Sequence, residues 1–449
     1  MIQMTLTQAA NLLGLPAGYP DIRFQGICID SRKLEPGNLF IAIPGERVDG
    51  HDFIEMAQQK GAVAALTTRP VSTTLPTLQV EDITLALGKL SSAWRNQFSL
   101  PFIAVTGSNG KTTTKNMIAS ILEAACEGNK EAVLATQGTL NNHLGLPLTL
   151  ARLTPVHRYA AIEMGMNHFG EIEYLTKITK PCVAVITNAA ASHLAGVGNV
   201  QGVARAKAEI FSGLSEKGIA ILNRDDDFYT FWRKTIGEQP FLTFGLHRHA
   251  DIHLETEYAP GMPTEIRTPH GNITIQLPLL GKHNVQNALA AIAATLAINI
   301  DLTAIKKGLE NIKPAPGRLE MHTLKNGTYV IDDSYNANPF SLNAAVNTLS
   351  AFQGKKILVL GDMKELGAEE VQLHQHAGEA IRQAGIDHLF TYGKLSASTT
   401  QAFGEGACHF TEQEALLCAL KPLLNTQSTI LVKGSRSMKM EKIVTDLIN

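Results

Sequence analysis

Residues 104–115 read AVTGSNGKTTTK and overlap a short apolar, β-branched run at residues 102–106. Such a run predicts a buried strand. Gly107 and Gly110 allow the backbone to turn tightly after it, and residues 113–125 predict a helix. A strand, a glycine-rich turn and a helix in this order predict a phosphate-binding loop, whose backbone N–H groups and helix N-terminus face the anion.

Two side chains give this loop its chemistry. Lys111 can reach phosphate oxygens, and the hydroxyl of Thr112 can bind Mg²⁺. Val105 stands where the general pattern G-x-x-x-x-G-K-T has its first glycine, so the loop is a shortened form, and the alternative is a glycine-rich turn without a ligand. The residues predicted to contact a nucleotide here are Gly107, Ser108, Asn109, Gly110, Lys111, Thr112 and Thr113.

Composition limits the class of protein. The 449 residues suggest about three domains, and 44% hydrophobic with 18% charged residues is typical of a globular protein. A net charge of −2 argues against nucleic acid as a partner. The apolar stretch at 288–298 is too short to span a membrane, and no signal peptide is apparent. The five scattered cysteines form no C-x-x-C pair, which favours free thiols in a reducing cytoplasm.

The chain divides into three predicted α/β domains. Residues 1–85 form a small α/β unit, residues 86–313 hold the phosphate-binding loop in a mostly parallel sheet, and residues 314–449 form a doubly wound, Rossmann-like domain. The stretch KPAPG at 313–317 favours an extended linker between the last two. Predicted strands include 40–44, 62–66, 159–163, 183–187, 219–222, 329–332, 357–360, 388–391 and 429–433, and predicted helices 51–59 and 284–298.

Three residues in the central domain are candidate metal ligands. Glu163 ends an apolar strand, at the edge where α/β proteins bind ligands, so it could hold Mg²⁺, and the alternative is a surface glutamate. His193 follows another strand and could ligate a divalent cation, although a lone histidine is more often structural. Lys207 lies at a predicted helix start and is either a solvated lysine or an amine that has added CO₂ to give an anionic carbamate beside magnesium. The spacing alone leaves both alternatives open.

Two further polar segments are candidates for a binding site, and in the first of them His283, Asn284 and Asn287 could contact a nucleotide base. Residues 281–291, GKHNVQNALAA, open a predicted helix with exposed polar side chains, of which Asn284 could instead cap the helix. Residues 332–339, DDSYNANP, follow a strand and are too polar for a core, so they face a cleft or solvent. Turn chemistry explains the asparagines and the proline, but not two acids at a strand end.

Taken in order, these motifs resemble the Mur ligases of peptidoglycan synthesis over nearly the whole chain. The phosphate-binding loop is shared by all Mur ligases and by folylpolyglutamate synthase. Other stretches resemble the members that add D-alanyl-D-alanine, above all those at 141–150, 163–172, 332–339 and 361–367. The remaining motifs are DSR (30–32), DGHDF (49–53), GKHNVQN (281–287) and KGSR (433–436).

The resemblance implies an N-terminal domain that binds the UDP substrate, a central ATPase and a C-terminal domain that admits the amine. It implies an ADP-forming carboxylate–amine ligase that uses ATP and two Mg²⁺ ions to join UDP-MurNAc-tripeptide to D-Ala-D-Ala. We also expect a monomer, located in the cytoplasm. The implied nucleotide contacts are Lys111, Thr112, Asn287, Arg318 and Asp332, and the implied metal ligands Thr112, Glu163, His193 and carbamylated Lys207. The implied UDP-substrate residues are Ser31, Arg32, Asn141 and Asn142, and the implied catalytic residues Lys111, His193 and Lys207. The alternatives are another ligase of the same mechanism, such as folylpolyglutamate synthase, and a nucleotide-dependent switch that forms no bond.

Overall fold

Three α/β parts follow one another in the computed structural model, which describes residues 1–45, 48–192, 194–259 and 262–448. Each part contains a sheet whose pairings are wholly or mostly parallel. The predicted fold class, three successive α/β units, is confirmed.

The N-terminal part is the smallest. It contains the strands β1 (Gln3–Thr5), β2 (Arg23–Gln25), β3 (Ile27–Cys28), β4 (Leu39–Ile41), β5 (Ala64–Thr67) and β6 (Thr77–Gln79) and the helices α1 (Leu6–Leu13) and α2 (Ile54–Gln59). β1 and β2 pair antiparallel, whereas β3-β4-β5-β6 form a parallel sheet. α1 begins with a capping box, because Thr5 and Gln8 each accept the other's backbone N–H.

The central part is built on a six-stranded sheet. Its strands are β7 (Phe102–Thr106), β8 (Val133–Ala135), β9 (Tyr159–Glu163), β10 (Val183–Ile186), β11 (Ile219–Asn223) and β12 (Phe241–Phe244), followed by the small sheet of β13 (His253–Leu254), β14 (Thr264–Thr268) and β15 (Gly271–Ile275). Its helices are α3 (Ile83–Arg95), α4 (Lys111–Ala125), α5 (Gly145–Ala151), α6 (Glu171–Thr179), α7 (Leu194–Val197), α8 (Val200–Ala208), α9 (Tyr229–Thr235), α10 (Lys282–Leu296) and α11 (Leu302–Glu310).

The strand order of this sheet creates a ligand crevice. The order is β12-β11-β10-β7-β9-β8, with every pairing parallel. The chain leaves β7 toward β8 and β9 on one side and returns to β10 on the other, so the order reverses at β7. In open α/β sheets ligands bind at such a point, outside the carboxyl ends of the strands.

β7 lies in the middle of the core. Its alternate side chains enter two apolar clusters, with Ile103 and Val105 on the face covered by α4, α10 and α11, and Phe102 and Ala104 on the opposite face. All five residues of β7 are buried, as the apolar run predicted. The loop that follows is therefore anchored at the rigid centre of the sheet.

The C-terminal part is a second doubly wound sheet. It contains the strands β16 (Glu320–Thr323), β17 (Tyr329–Asp333), β18 (Lys355–Gly361), β19 (His388–Tyr392), β20 (Ala407–Phe410) and β21 (Ser428–Lys433) and the helices α12 (Pro339–Ser350), α13 (Glu370–Gln383), α14 (Ser396–Phe403), α15 (Gln413–Leu420) and α16 (Glu441–Ile448). The order is β16-β17-β21-β18-β19-β20, and only the edge strand β16 pairs antiparallel. The Rossmann-like layout predicted for residues 314–449 agrees with this arrangement.

Of the two predicted domain limits, one falls inside a helix and the other falls between two elements. The limit at 85 lies within α3, which packs against α1 of the N-terminal part and against α5 and α6 of the central part. The limit at 313 lies between α11 and β16, in a segment without regular structure. We retain 313 as the proposed junction before the C-terminal domain.

Candidate active site

A cavity of about 510 Å³ lies where the central and C-terminal sheets face each other. The carboxyl ends of strands from both sheets open into it, through Glu163 of β9, Asp333 of β17 and Lys433 of β21. Many of the residues predicted from the sequence line it, namely Ser108, Asn109, Gly110, Lys111, Thr112, Thr113, Asn141, Asn142, Glu163, Asn287 and Arg318. The cavity therefore unites the predicted nucleotide site with part of the predicted substrate site.

The loop between β7 and α4 is held in shape by the segment after β10. The backbone N–H of Ser108 donates to the carbonyl of Asn188 at 2.9 Å, and that of Asn109 donates to Asn188 Oδ1 at 3.0 Å. The Thr187 hydroxyl donates to the Asn109 carbonyl at 2.6 Å. The loop is thus organised in advance, and α4 begins directly after Gly110 with its N-terminal dipole toward the cavity.

Lys111 is partly buried and is the first residue of α4, whereas the sequence predicted a helix only from Thr113. Its ammonium donates to the carbonyls of Gly107 and Ser108 at 2.7 and 3.1 Å. Burial lowers the pKa of Lys111, the charge of Glu163 opposes that change, and Arg318 adds to it. The two hydrogen bonds hold the side chain in advance at the position where phosphate oxygens are expected.

Gly110 and α10 approach each other closely. Asn287 Oδ1 accepts from the Thr114 hydroxyl at 3.3 Å, and a Cβ on Gly110 would lie only 2.2 Å from that same oxygen. Asn284 and Asn287 are both buried, so the prediction of exposed polar side chains on this helix is wrong for them. The two asparagines are three residues apart, which puts them on one helix face, where Asn287 Nδ2 donates to Asn284 Oδ1.

Gly110→Ala is expected to lower Tm and nucleotide affinity more than the matched change Gly128→Ala at the other end of α4. Both glycines have left-handed φ values, 78° and 87°, so alanine strains each backbone by roughly 1–2 kcal/mol. A Cβ at Gly128 would meet no atom within 4 Å, so the further overpacking cost of ~1–3 kcal/mol falls on Gly110 alone. Side-by-side thermal denaturation measures the difference, and equal losses would contradict the close contact with Asn287.

Glu163 is a buried carboxylate with one oxygen unpaired. It is 2% exposed, and Asn141 Nδ2 donates to its Oε1 at 2.7 Å. Oε2 is buried, and no described residue gives it a hydrogen bond. A carboxylate oxygen buried in this way is costly unless a cation binds it, so the interpretation of Glu163 as a surface glutamate is wrong.

Lys207 lies at the C-terminal end of α8, not at a helix start, and it is fully buried. Its Nζ finds no hydrogen-bond partner in the described part of the chain. Burial, and then the positive charge of Lys111, hold the pKa of Lys207 well below its ordinary value, against the opposing charges of Glu209, Glu163 and Glu171. The interpretation as a solvated lysine is therefore wrong, and the amine is poised to be neutral.

A signal for this burial exists in the sequence. Val203 and Ile210 stand four residues before and three residues after Lys207, and both are fully buried. These spacings place the lysine on the apolar side of its segment. A lysine on that side requires an explanation beyond solvation.

Other predicted site residues lie elsewhere. Ser31 and Arg32 belong to a short 3₁₀ turn of the N-terminal part and are not among the residues that line the cavity, and Arg32 pairs with Asp30. Asp332 is buried opposite Glu320 on β16 and does not line the cavity. His193 lies outside the described residues.

Asp333, which was not among the predicted site residues, faces the cavity in place of Asp332. Lys433 donates to Asp333 Oδ2 at 2.6 Å and to the carbonyl of Asn336 at 2.9 Å. Burial raises the pKa of Asp333, and the charge of Lys433 opposes the rise. Adjacent strand residues point to opposite faces, so one of two neighbouring acids had to face away from the cavity.

Among the described residues, two hydrogen bonds join the C-terminal part to the phosphate-binding loop and to the start of α4. Arg318 donates to the Thr112 hydroxyl at 3.2 Å, and its guanidinium lies 4.1 Å from the ring centroid of Tyr335. Asn338 Nδ2 donates to Asn109 Oδ1 at 2.9 Å. The C-terminal part is therefore in direct contact with the loop expected to hold phosphate.

Three family models match the chain in order. They are the Mur ligase family, catalytic domain, at residues 23–95, the Mur ligase middle domain at 105–295, and the Mur ligase, glutamate ligase domain at 317–436. The UDP-N-acetylmuramoyl-tripeptide–D-alanyl-D-alanine ligase of Escherichia coli (strain K12) is 44% identical over 452 residues, which cover 100% of this chain and 99% of that protein. The chain belongs to the Mur ligase family. The resemblance carried by its motifs is confirmed, and the protein is an enzyme of the ligase class.

Solved structures of this family share the fold over the full length. MurF from Acinetobacter baumannii matches with a TM-score of 0.92 and 37% identity, covering 100% of this chain and 99% of that one. A MurF ligase from Thermotoga maritima, solved in complex with ADP, matches with a TM-score of 0.82 and 28% identity, covering 94% and 96%. None of the helices in the described part of the chain combines the length and apolar character that a bilayer crossing requires.

Proposed function

We infer that this protein joins D-alanyl-D-alanine to UDP-N-acetylmuramoyl-tripeptide, consuming ATP and releasing ADP and phosphate. The observation that carries this inference is the cavity in which the phosphate-binding loop meets the strand ends of the C-terminal sheet. Such a cavity brings a phosphoryl donor, a carboxylate and an amine to one place. The full-length similarity to the ligase of E. coli supports the choice of substrates, and the ADP complex of a structural relative supports ATP as the donor.

The reaction needs phosphorylation because a carboxylate has no good leaving group. A carboxylate oxygen of the tripeptide attacks the γ-phosphorus of ATP, the bond from that phosphorus to the β-γ bridging oxygen breaks, and ADP leaves. The resulting acyl phosphate carries a good leaving group. The amine of D-Ala-D-Ala then attacks the acyl carbon, the carbon–oxygen bond to phosphate breaks, and phosphate leaves with the former carboxylate oxygen as the nitrogen loses a proton.

Residues of the loop and of α4 stabilise the charge that moves in the first step. Lys111, the backbone N–H groups at the start of α4 and the helix dipole all present positive charge to the cavity. Because the loop is fixed by Asn188 and Thr187, these groups need no reorganisation when charge develops. We propose Asn287 and Arg318 as further nucleotide contacts. Asp332 was also predicted, but its neighbour Asp333 is better placed because it lines the cavity.

The donor set in the cavity fits magnesium. Glu163 Oε2 and the hydroxyl of Thr112 are hard oxygen donors of residues that line the cavity. Lys207 is not among the lining residues, but the charges of Lys111 and Glu163 act on it, and we propose that as a carbamate it adds a third oxygen donor. His193 remains a predicted ligand. Bound Mg²⁺ would neutralise phosphate charge and polarise the phosphoryl group.

Lys207 is suited to carbamate formation by its burial. Its lone pair would form a bond to the carbon of CO₂, and the nitrogen would release one proton to solvent. Only the neutral amine can do this, and the lowered pKa favours the neutral form. Nζ of Lys207 has no hydrogen-bond partner among the described residues, and formation of the carbamate would explain why it is buried.

The UDP substrate would extend from the cavity toward the N-terminal part. We propose that Asn141 and Asn142 contact its sugar-peptide side, since both line the cavity, and that Ser31 and Arg32 contact it within the N-terminal part. We further propose that the protein works as a monomer in the cytoplasm.

Phosphate release with matched substrates tests the function. ATP turnover is expected only when UDP-MurNAc-tripeptide and D-Ala-D-Ala are both present. Folate with glutamate in their place is expected to give none, because that pair belongs to folylpolyglutamate synthase. Turnover with folate, or turnover that is independent of any acceptor, would contradict the proposal.

A further inference from the structure

We propose that Asn338 is a positioning residue that holds the C-terminal part against the phosphate-binding loop through its hydrogen bond to Asn109, so that the amine is aligned with the activated acyl group. This inference rests on the proposed function. Asn338 and Asn109 are 229 residues apart in sequence, and their side chains meet at 2.9 Å. We call this pair the amide latch.

The direction of the latch follows from the capping of α12. Asn338 is the N-cap of this helix, and its Oδ1 accepts the backbone N–H of Ser341 at 2.8 Å. A backbone N–H can only donate, so the oxygen of the Asn338 amide must point into the helix. Its Nδ2 then points to Asn109, which must present its own oxygen. The cap therefore sets the orientation of both amides.

Asn109 gives the latch a rigid anchor. Its backbone is held on both sides, because its N–H donates to Asn188 Oδ1 and its carbonyl accepts from Thr187 and from Asn188 Nδ2 at 3.1 Å. Its own Nδ2 is buried without a hydrogen-bond partner in the described part of the chain. The orientation of the Asn109 side chain thus depends on the bond that Asn338 donates.

The position of the latch determines what its loss would do. Asn338, Phe340 and Ser341 belong to the segment of the C-terminal part that lines the cavity. Activation of the carboxylate needs Lys111 and the loop of the central part, and Arg318 keeps its own contact with Thr112 when Asn338 is changed. The second step also needs the C-terminal part to be aligned with the central part. Loss of the latch should therefore impair amine attack and expose the acyl phosphate to water, while nucleotide binding persists.

Asn338→Ser isolates the latch from the helix cap. Serine caps a helix about as well as asparagine, but it lacks the second polar atom that reaches Asn109. The matched control is Asn343→Ser, the same substitution at an exposed position of α12 that does not line the cavity. Asn338→Thr repeats the test with another capping residue.

The decisive measurement is the ratio of phosphate released to amide formed. In wild type and in Asn343→Ser we expect a ratio near one, and in Asn338→Ser and Asn338→Thr a clearly higher ratio, with kcat/KM for D-Ala-D-Ala lower by roughly fivefold to tenfold, the effect of losing one hydrogen bond. The Kd of ADP should stay within about twofold. A merely destabilised protein would lose both products equally, so an unchanged ratio would overturn the proposal.

Small-angle scattering without substrates gives a readout that does not depend on catalysis. We expect a larger radius of gyration for Asn338→Ser than for Asn343→Ser, because the C-terminal part is less firmly held. Equal radii would count against the latch. If wild type forms no amide at all, the proposed function fails, and the scattering result alone then decides the latch.

Discussion

Lys207→Ala is expected to fold and to be nearly inactive, and a short-chain carboxylic acid such as acetate is expected to restore part of its activity. The lysine is fully buried and its amine has no hydrogen-bond partner in the described part of the chain. If it acts as a carbamate, the alanine variant loses an anionic oxygen donor at the phosphate site, a loss of about 10²–10³ in rate. The truncation leaves room in which an added carboxylate can take that place.

Two control variants make this prediction specific. Lys207→Met removes the amine but fills the space, so it should be as inactive as the alanine variant and should not respond to the acid. Its Tm should not fall below that of wild type, because a buried unpaired amine does not stabilise the fold. Lys217→Ala, at an exposed position, should behave as wild type with and without acid.

The carbamate itself can be observed directly. With ¹³C-labelled bicarbonate, wild-type protein should show a carbamate carbon in its NMR spectrum that is absent from Lys207→Met. Wild-type turnover by Lys207→Ala would contradict the role of this lysine. Loss of activity without rescue, combined with no carbamate signal in wild type, would contradict the carbamate.

Lys111→Ala is the second large effect that we expect, a fall of about 10²–10³ in kcat with the fold retained. The ammonium of Lys111 donates to two loop carbonyls and carries positive charge into the cavity. Burial removes water from this charged group and thereby lowers the pKa of Lys111, so the buried charge does not stabilise the fold. Removal should therefore cost little stability while it removes a cation that the transition state needs.

Lys130→Ala serves as the matched control for this variant. Lys130 is exposed beyond the other end of α4, so its removal should leave kcat and Tm unchanged. Steady-state kinetics and thermal denaturation of both variants provide the comparison. Near-normal turnover by a folded Lys111→Ala would contradict the assignment of the loop to ATP.

The elements with strong local patterns could be predicted from the sequence. β7 has the predicted limits because its five residues are all apolar or β-branched and are buried on both faces. α4 begins two residues before its predicted start at Thr113, since Gly110 adopts the left-handed conformation and the helix continues directly from it. The proposed junction at 313 rests on the prolines around it, whereas the limit at 85 has no such signal and falls within α3.

The residues at the carboxyl ends of the strands could be predicted from the sequence, whereas the contacts between distant segments could not. Glu163 and the loop could be placed at the cavity, because carboxyl ends of parallel strands share one edge. The choice between Asp332 and Asp333 depends on which face of β17 meets the cavity, and the sequence does not contain that information. Val203 and Ile210 indicate from the sequence that Lys207 lies on an apolar side. The pairing of Asn338 with Asn109 depends on how distant segments pack, so it required the structure.

Transfer of oxygen from substrate to phosphate tests the central claim most directly. UDP-MurNAc-tripeptide with both oxygens of the reacting carboxylate labelled with ¹⁸O should yield, in each turnover, one phosphate that carries one labelled oxygen. The product should have the mass of tripeptide plus D-Ala-D-Ala less one water, and it should retain one label in the new amide. Mass spectrometry of phosphate and product measures both. Amide formation with unlabelled phosphate would contradict the acyl-phosphate route, and absence of the amide would contradict the function itself.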